Sequence, residues 1–342
     1  MAVIVKGDNG TVSDTYLEMI GETLSGLGEN VCYVDSYRKV FDFPKDELVV
    51  DAISLEAFHL ILRGYRHIIL WFQGVAPEEN YLVHHNRLKL AVFNMIEWVV
   101  VRHIDFSLYV SETMKRYMTR KYRIPANEDR CYCMPCMNTE IHPEAFFGEN
   151  KYGEMRFAYV GSLTVWQSFE DTADLYAEIE KAFGGRTRFL VFTSEKEKAE
   201  QILKSRGIRN YTIDFVPNEQ LPAALAGVKY GFIVRKDNPV NRVATPTKIS
   251  TYLSCGVIPI YSTCLEDFDR EAKNMRYAVP AGADLISRLQ AMESAPIAPE
   301  EVLREYQGIF GSYYARDKHM RNLKAKLAPV YEALWKKRKE QP

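Results

Sequence analysis

The stretch richest in chemistry is RKDNPVNRVATPTKISTYLSCG, residues 235–256. The apolar run over 230–234 reads as a strand ending at Arg235, a loop follows, and the pattern predicts a helix over 245–254. Thr245 is a candidate N-cap, Pro246 suits the first helical position, and Gly256 suits the left-handed position that ends a helix. Thr247 and Lys248 then fall in the first turn, where unpaired N–H groups and the positive end of the helix dipole attract anions. A lysine in that turn is unfavourable on dipole grounds unless an anion meets it. With Arg242 close by in sequence, the segment could cradle a diphosphate. Ordinary capping with surface bases would look the same, and the residues alone leave both open.

Other candidates are weaker. Gln73-Gly-Val-Ala-Pro-Glu78-Glu79 follows a strand over 67–72. Glu78 or Glu79 could act as an acid/base group, or simply complement a helix dipole. His84-His85 could serve as a base or orient an acceptor, and Trp71 and Trp166 could stack on a sugar or fill a core. Lys6-Gly-Asp-Asn-Gly10 follows the first strand but lacks Gly-x-Gly-x-x-Gly, so no nicotinamide or flavin fingerprint is present. Cys131-Tyr-Cys133-Met-Pro-Cys136 has no fourth ligand nearby and reads as a short strand ended by Pro135. No Asp-x-Asp stands at a strand end, so no metal site is expected.

The elements that must hold these residues alternate. Strands are predicted over 2–5, 31–34, 67–72 and 106–110, with helices over 13–27, 55–63 and 88–102 and a further helix capped by Ser111. A polar, turn-rich break falls at 147–155, and the alternation restarts. Strands over 157–160, 188–192, 211–215, 230–234 and 257–261 are separated by helices, one of them capped by Asn218. Such alternation marks parallel sheets covered on both faces, whose ligands sit beyond the carboxyl ends of the strands. The tail is helical, with Met320, Leu323, Leu327, Val330 and Leu334 on one face and Pro329 as an expected kink. Between residues 316 and 340 it carries nine Lys/Arg against three acids, which suits a solvated face or contact with an anionic membrane surface.

The 342 residues are enough for two domains, and 47% hydrophobic with 26% charged residues is an ordinary globular balance. A net charge of −1 gives no polycationic field for nucleic acid. The N-terminus reads as a strand, the longest apolar stretch is interrupted by Lys89 and Glu97, and the six cysteines need no oxidising compartment. A cytoplasmic protein is expected.

Here the motifs converge on a resemblance. VATPTKISTYLSCGVIPI (243–260) resembles the donor-site helix of bacterial glycosyltransferases with the GT-B fold, in particular the large retaining family that builds capsular and lipopolysaccharide glycans. Tyr159-Val-Gly-Ser-Leu163 resembles the strand and glycine loop opening that family's second domain, and Asp214-Phe-Val-Pro-Asn-Glu-Gln-Leu221 the segment whose backbone reads the nucleotide base. The segments 68–79 and 105–115 resemble parts of the first domain.

The resemblance implies an α/β GT-B architecture: two Rossmann-like doubly wound domains facing a cleft. Residues 1–150 would form the acceptor-side domain, 151–315 the nucleotide-sugar domain, and 316–342 a helix returning to the first. It implies transfer of a sugar from a nucleotide diphosphate sugar to a glycan or lipid-linked acceptor, with no metal or other cofactor, in cell-surface polysaccharide synthesis. On the matched positions Lys248 would bind the diphosphate with help from Arg242, while Gly161 and Ser162 approach the phosphates. Val216 and Asn218 would lie at the base, and Asn241, Thr245, Thr247 and Thr251 would complete the donor site, with Glu79 as the acid/base candidate.

Two departures stand out. The glutamate pair common across this helix is replaced by Val243 and Thr251, and the run Leu163-Thr-Val-Trp166-Gln167 lacks the family's base after the glycine loop. A nucleotide-sugar epimerase of the same architecture is a rival, but would carry an Asp-Ser-Gly-Gly type loop where this chain has Ala244-Thr-Pro-Thr-Lys248. A non-catalytic nucleotide- or glycan-binding protein is the other rival.

Overall fold

The computed structural model describes residues 1–6, 11–125 and 128–336, so residues 7–10 of the glycine-bearing loop after the first strand lie outside the described residues. The chain divides into two compact units, 1–135 with 315–342, and 136–314.

Unit 1 is built on a six-stranded parallel sheet in the order β2-β1-β3-β4-β5-β6. The strands are β1 (Ala2–Val5), β2 (Val31–Val34), β3 (Leu48–Asp51), β4 (His67–Phe72), β5 (Phe106–Tyr109) and β6 (Cys131–Cys133). β1 and β3 are buried along their whole length, as expected of strands covered on both faces. Helices Thr11–Ser25, Ser54–Leu62, Ala76–His84, Arg87–His103 and Glu112–Tyr122 connect them. Ser111 caps the last of these as the sequence suggests, its Oγ accepting from the Met114 N–H at 2.8 Å. β3 is absent from the sequence reading, because its short apolar run follows a charged segment and resembles a loop.

The tail also belongs to unit 1. Helix Arg316–Val330 contains Pro329 and passes into a π-helical turn, Tyr331–Trp335, closed by the Lys336 N–H donating to the Tyr331 carbonyl at 2.8 Å. Leu323, Leu327 and Val330 are buried, Tyr132 Oη lies 2.8 Å from His319 Nδ1, and Trp335 Nε1 donates to Asp105 Oδ2 at 2.8 Å. The same carboxylate oxygen is 2.9 Å from His67 Nδ1. Lys326 donates to the Glu128 carbonyl, so part of the basic tail face is spent inside the unit.

Unit 2 carries a second six-stranded parallel sheet, order β12-β11-β10-β7-β8-β9. Its strands are β7 (Met155–Val160), β8 (Thr187–Phe192), β9 (Tyr211–Asp214), β10 (Tyr230–Ile233), β11 (Ile258–Tyr261) and β12 (Val279–Pro280). Phe157 stacks on Tyr230 and Phe232, and Tyr176 on Phe189, giving one face an aromatic core. The boundary expected near residue 150 lies instead at 135/136. Residues after 135 are tied to unit 2: Cys136 N–H donates to Thr245 Oγ1 (3.0 Å), Ser250 Oγ to Asn138 Oδ1 (2.9 Å) and His142 N–H to the Ser254 carbonyl (2.9 Å). Among the described residues no helix is long and apolar enough to cross a membrane.

Candidate functional site

In unit 2 the strand order reverses between β7 and β10, since β8 and β9 extend to one side of β7 and β10 to β12 to the other. The connections leaving β7 and β10 therefore diverge, opening a crevice at their carboxyl ends. Gly161 follows β7 with φ 123°, a conformation that L side chains avoid. A Cβ there would also stand 2.8 Å from Lys248 Cε, so the lysine and the glycine loop require each other's shape.

Lys248 reaches this point from helix Thr247–Ser254. Tyr252 of that helix accepts from the Val160 N–H at 3.1 Å, pinning the helix to β7. Lys248 Nζ donates to Gln167 Oε1 at 2.6 Å and sits 4.1 Å from the centroid of the Tyr159 ring. Burial pushes its ammonium well below the usual lysine range, and the like charge of Arg235 adds to the effect.

Arg235, the second cation, is missing from the sequence-derived set. It follows β10 directly, is buried, and donates from Nη1 to the Trp166 carbonyl at 3.1 Å. Burial brings its guanidinium down to about 10. Among the described residues neither Lys248 nor Arg235 is ion-paired with a carboxylate. Its place as the first base after a strand at the switch point was the available signal.

The other expected residues divide. Helix Thr247–Ser254 starts later than predicted, with Pro246 at the N-cap position and no side-chain cap. Thr245 is therefore not a cap; its hydroxyl accepts from Cys136 N–H. The uncapped first turn holds Thr247 and Lys248, and Gly256 ends the helix with φ 69° as expected. Thr251 Oγ1 donates to the Thr247 carbonyl at 3.1 Å and lies 3.5 Å from Asn138 Oδ1, while Val243 is buried. Ser162 is exposed, its Oγ 3.3 Å from Thr164 Oγ1.

Arg242 does not join Lys248: it is exposed and donates to Asp237 Oδ2 at 2.8 Å. Asn241 is buried and holds the loop, its Nδ2 donating to the Lys236 carbonyl at 2.9 Å. Val216 follows β9 beside an exposed Phe215. Asn218 is no helix cap; it opens a 3-10 turn, Asn218–Gln220, before helix Leu221–Leu225.

Glu79 lies in unit 1 and closes the start of its own helix, Oε1 accepting from Val75 N–H at 3.1 Å. Burial raises its carboxyl, the Val75 bond offsetting part of that and Glu78 adding to it. Glu78 accepts from Tyr117 Oη (2.7 Å) and Lys121 Nζ (2.9 Å). The Pro-Glu-Glu segment is thus a helix start fixed from both carboxylates. His84 and His85 are exposed, His85 in the left-handed turn that ends the helix, and Trp71 is core, stacked on Tyr16 at 4.5 Å. Cys131 and Cys133 belong to unit 1 and Cys136 to unit 2, and the described residues contain no His/Cys/Asp/Glu group able to hold a metal ion.

No protein-family model matches the chain and no curated protein matches it in sequence. Solved structures do match. A trehalose-6-phosphate synthase from E. coli bound with UDP-2-fluoro glucose superposes with a TM-score of 0.68 at 9% identity, over 96% of this chain and 98% of that one. The lipopolysaccharide outer core galactosyltransferase WaaB gives 0.63 at 13% identity, over 96% and 99% of the two chains. A variant of S. aureus TarM in complex with Fondaparinux, alpha-GlcNAc-glycerol and UDP gives 0.62 at 8% identity; 87% of this chain is covered but only 58% of TarM. With two parallel six-stranded sheets in two α/β units, and with these neighbours, the chain has the GT-B fold of glycosyltransferases.

Proposed function

We propose that this chain is a glycosyltransferase, moving a sugar from a nucleotide diphosphate sugar to a glycan or lipid-linked acceptor in cell-surface polysaccharide synthesis on the cytoplasmic side of the membrane. The observation that carries the reading is the pair Lys248 and Arg235: a half-buried and a buried cation at the switch point of unit 2, neither with a carboxylate partner among the described residues. Buried charge is costly unless something of opposite sign meets it, and a diphosphate supplies that.

In this reading the diphosphate lies against Lys248, Arg235 and the uncapped first turn beginning at Thr247. As the bond from the anomeric carbon to the diphosphate oxygen breaks, its electron pair leaves with the diphosphate. The two cations and the open N–H groups stabilise that growing charge, so no metal is required. The acceptor hydroxyl forms the new bond to the anomeric carbon and passes its proton to the departing diphosphate oxygen. Val216 and the exposed Phe215 offer backbone and an aromatic face to the base, and Thr251 with Asn138 takes the place of an acidic group near the sugar.

A second reading is favoured by Val243 and Thr251: binding of a nucleotide without turnover. Thermal shift with UDP, GDP, CDP and ADP, followed by turnover of the matching nucleotide sugars in EDTA, separates the two. Hydrolysis or transfer supports the enzyme, and binding alone supports the second reading. Loss of turnover in EDTA with recovery in Mg²⁺ overturns metal independence, and no nucleotide binding at all overturns both readings.

A further inference from the structure

Helix Arg87–His103 of unit 1 has two apolar faces, and only one is used. Ile96 and Val100 are buried, on a helix that packs against helices Ser54–Leu62 and Ala76–His84. Along the opposite side Leu88, Val92, Met95 and Trp98 are 76%, 44%, 57% and 47% exposed. Their spacing puts them on one stripe of the helix surface. Val83, just before the turn into this helix, is exposed as well. A continuous apolar stripe left in water marks an interaction surface.

We propose that this stripe docks unit 1 onto an anionic lipid bilayer. The charges around it choose the partner. From residue 80 to residue 104 the exposed ionised side chains are Arg87, Lys89 and Arg102, and the one acid, Glu97, is buried and accepts from Tyr122 Oη at 2.5 Å. An apolar face edged by bases with no exposed acid fits acyl chains beneath anionic headgroups. The Arg102 guanidinium lies 4.1 Å over the Trp98 ring, so an aromatic that favours the interface carries its own cation. A second copy of the chain fits worse, because a two-fold contact through this stripe would set the bases against their own copies. The expected membrane contact thus moves from the tail to this helix. The proposal does not rest on the donor-site reading.

Trp98 also supplies the test. Trp71 and Trp335 are buried, so a change in emission on docking comes from Trp98 or the half-buried Trp166, and Trp98→Phe assigns it. The full chain is mixed with equimolar phosphatidylcholine/phosphatidylglycerol vesicles and with pure phosphatidylcholine vesicles. Expected are co-sedimentation and a blue shift with the anionic vesicles, a shift lost in Trp98→Phe, and binding weakened about tenfold or more in Leu88→Ser/Met95→Ser. Both positions are exposed, so the double variant should keep the thermal midpoint of the parent. Absence of binding, equal binding to both vesicles, or binding unchanged in the double variant overturns the proposal. So does a concentration-dependent dimer that the double variant abolishes.

Discussion

Lys248 Nζ lies 2.6 Å from Gln167 Oε1, joining the first turn of a helix to the loop after β7 across 81 positions of sequence. The carboxamide oxygen satisfies one ammonium proton and cancels none of the charge. In the proposed donor site, a phosphate oxygen would take over a donor that is already oriented.

Replacing that ammonium is the most direct experiment. Charge-assisted hydrogen bonds of this kind contribute on the order of 1.5–3 kcal/mol, so Lys248→Met should weaken nucleoside diphosphate binding by about one to two decades. The ligand-free protein should not lose stability, because a half-buried, desolvated cation is exchanged for an apolar side chain of similar length. Calorimetry and urea unfolding measure the two effects. Parental affinity in the variant would put the diphosphate elsewhere.

The two arginines of the segment should behave differently. Arg235→Met is expected to lower nucleotide affinity by at least a decade. Arg242→Ala should leave it unchanged, since that side chain is exposed and engaged by Asp237. Titration of both variants with the preferred nucleotide decides between them, and the reverse ranking would restore the sequence-based assignment of Arg242.

Gly161→Ala tests the fit of loop to lysine. The strained φ costs about 1–3 kcal/mol in stability, and the new methyl must displace Lys248 Cε. Nucleotide affinity and the urea midpoint should fall together. A variant with normal stability and normal affinity would show that the loop has room the structure does not.

Lys151 gives the chain a pH signature. Its ammonium donates to the Leu225 and Cys255 carbonyls, and burial lowers its pKa from 10.5 to about 7. Between those values the unfolded chain binds more protons than the folded one, so stability rises with pH. Below about 7 the penalty of burying the charge is present in full, and it fades towards 10.5. Unfolding free energies measured across this window in the parent and Lys151→Met should differ in slope by up to about 1.4 kcal/mol per pH unit. Parallel curves would mean that Lys151 stays charged when folded.

Trp335→Ala should destabilise unit 1 by about 3–5 kcal/mol, since a fully buried indole and its bond to Asp105 are lost together. Nucleotide binding, assigned to unit 2, should survive at temperatures where both units remain folded. Calorimetric unfolding beside nucleotide titration checks both statements.

How much of this was legible follows from where each signal lives. The alternating apolar runs of β1, β4, β7 and β10 and the Ser111 cap are local patterns, and each could be read directly. Lys248 stands out in the sequence because a lysine in a first helical turn breaks a local rule. Arg235 and Gln167 do not, because their placement near Lys248 arises only when the ends of β7 and β10 come side by side. Glu79 is ambiguous for a related reason: a carboxylate after Pro looks the same in sequence whether it faces a ligand or, as here, accepts from Val75 N–H. The domain boundary was misplaced because the polar turn at 147–155 is louder in sequence than hydrogen bonds from Cys136 and Asn138 to a distant helix.

The closing of unit 1 by Trp335 also orders events at the ribosome. Residues 1–135 emerge first, yet helix Arg316–Val330 and the turn bearing Trp335 are made only after all of residues 136–314. At about 5–20 residues per second, the first sheet waits roughly 10–40 s for its last packing element. Unit 2 is continuous in sequence and can fold during that wait. The nascent first sheet meanwhile keeps an unfilled flank where Leu323, Leu327 and Trp335 will later lie, and that interval is when it most needs a chaperone's cover.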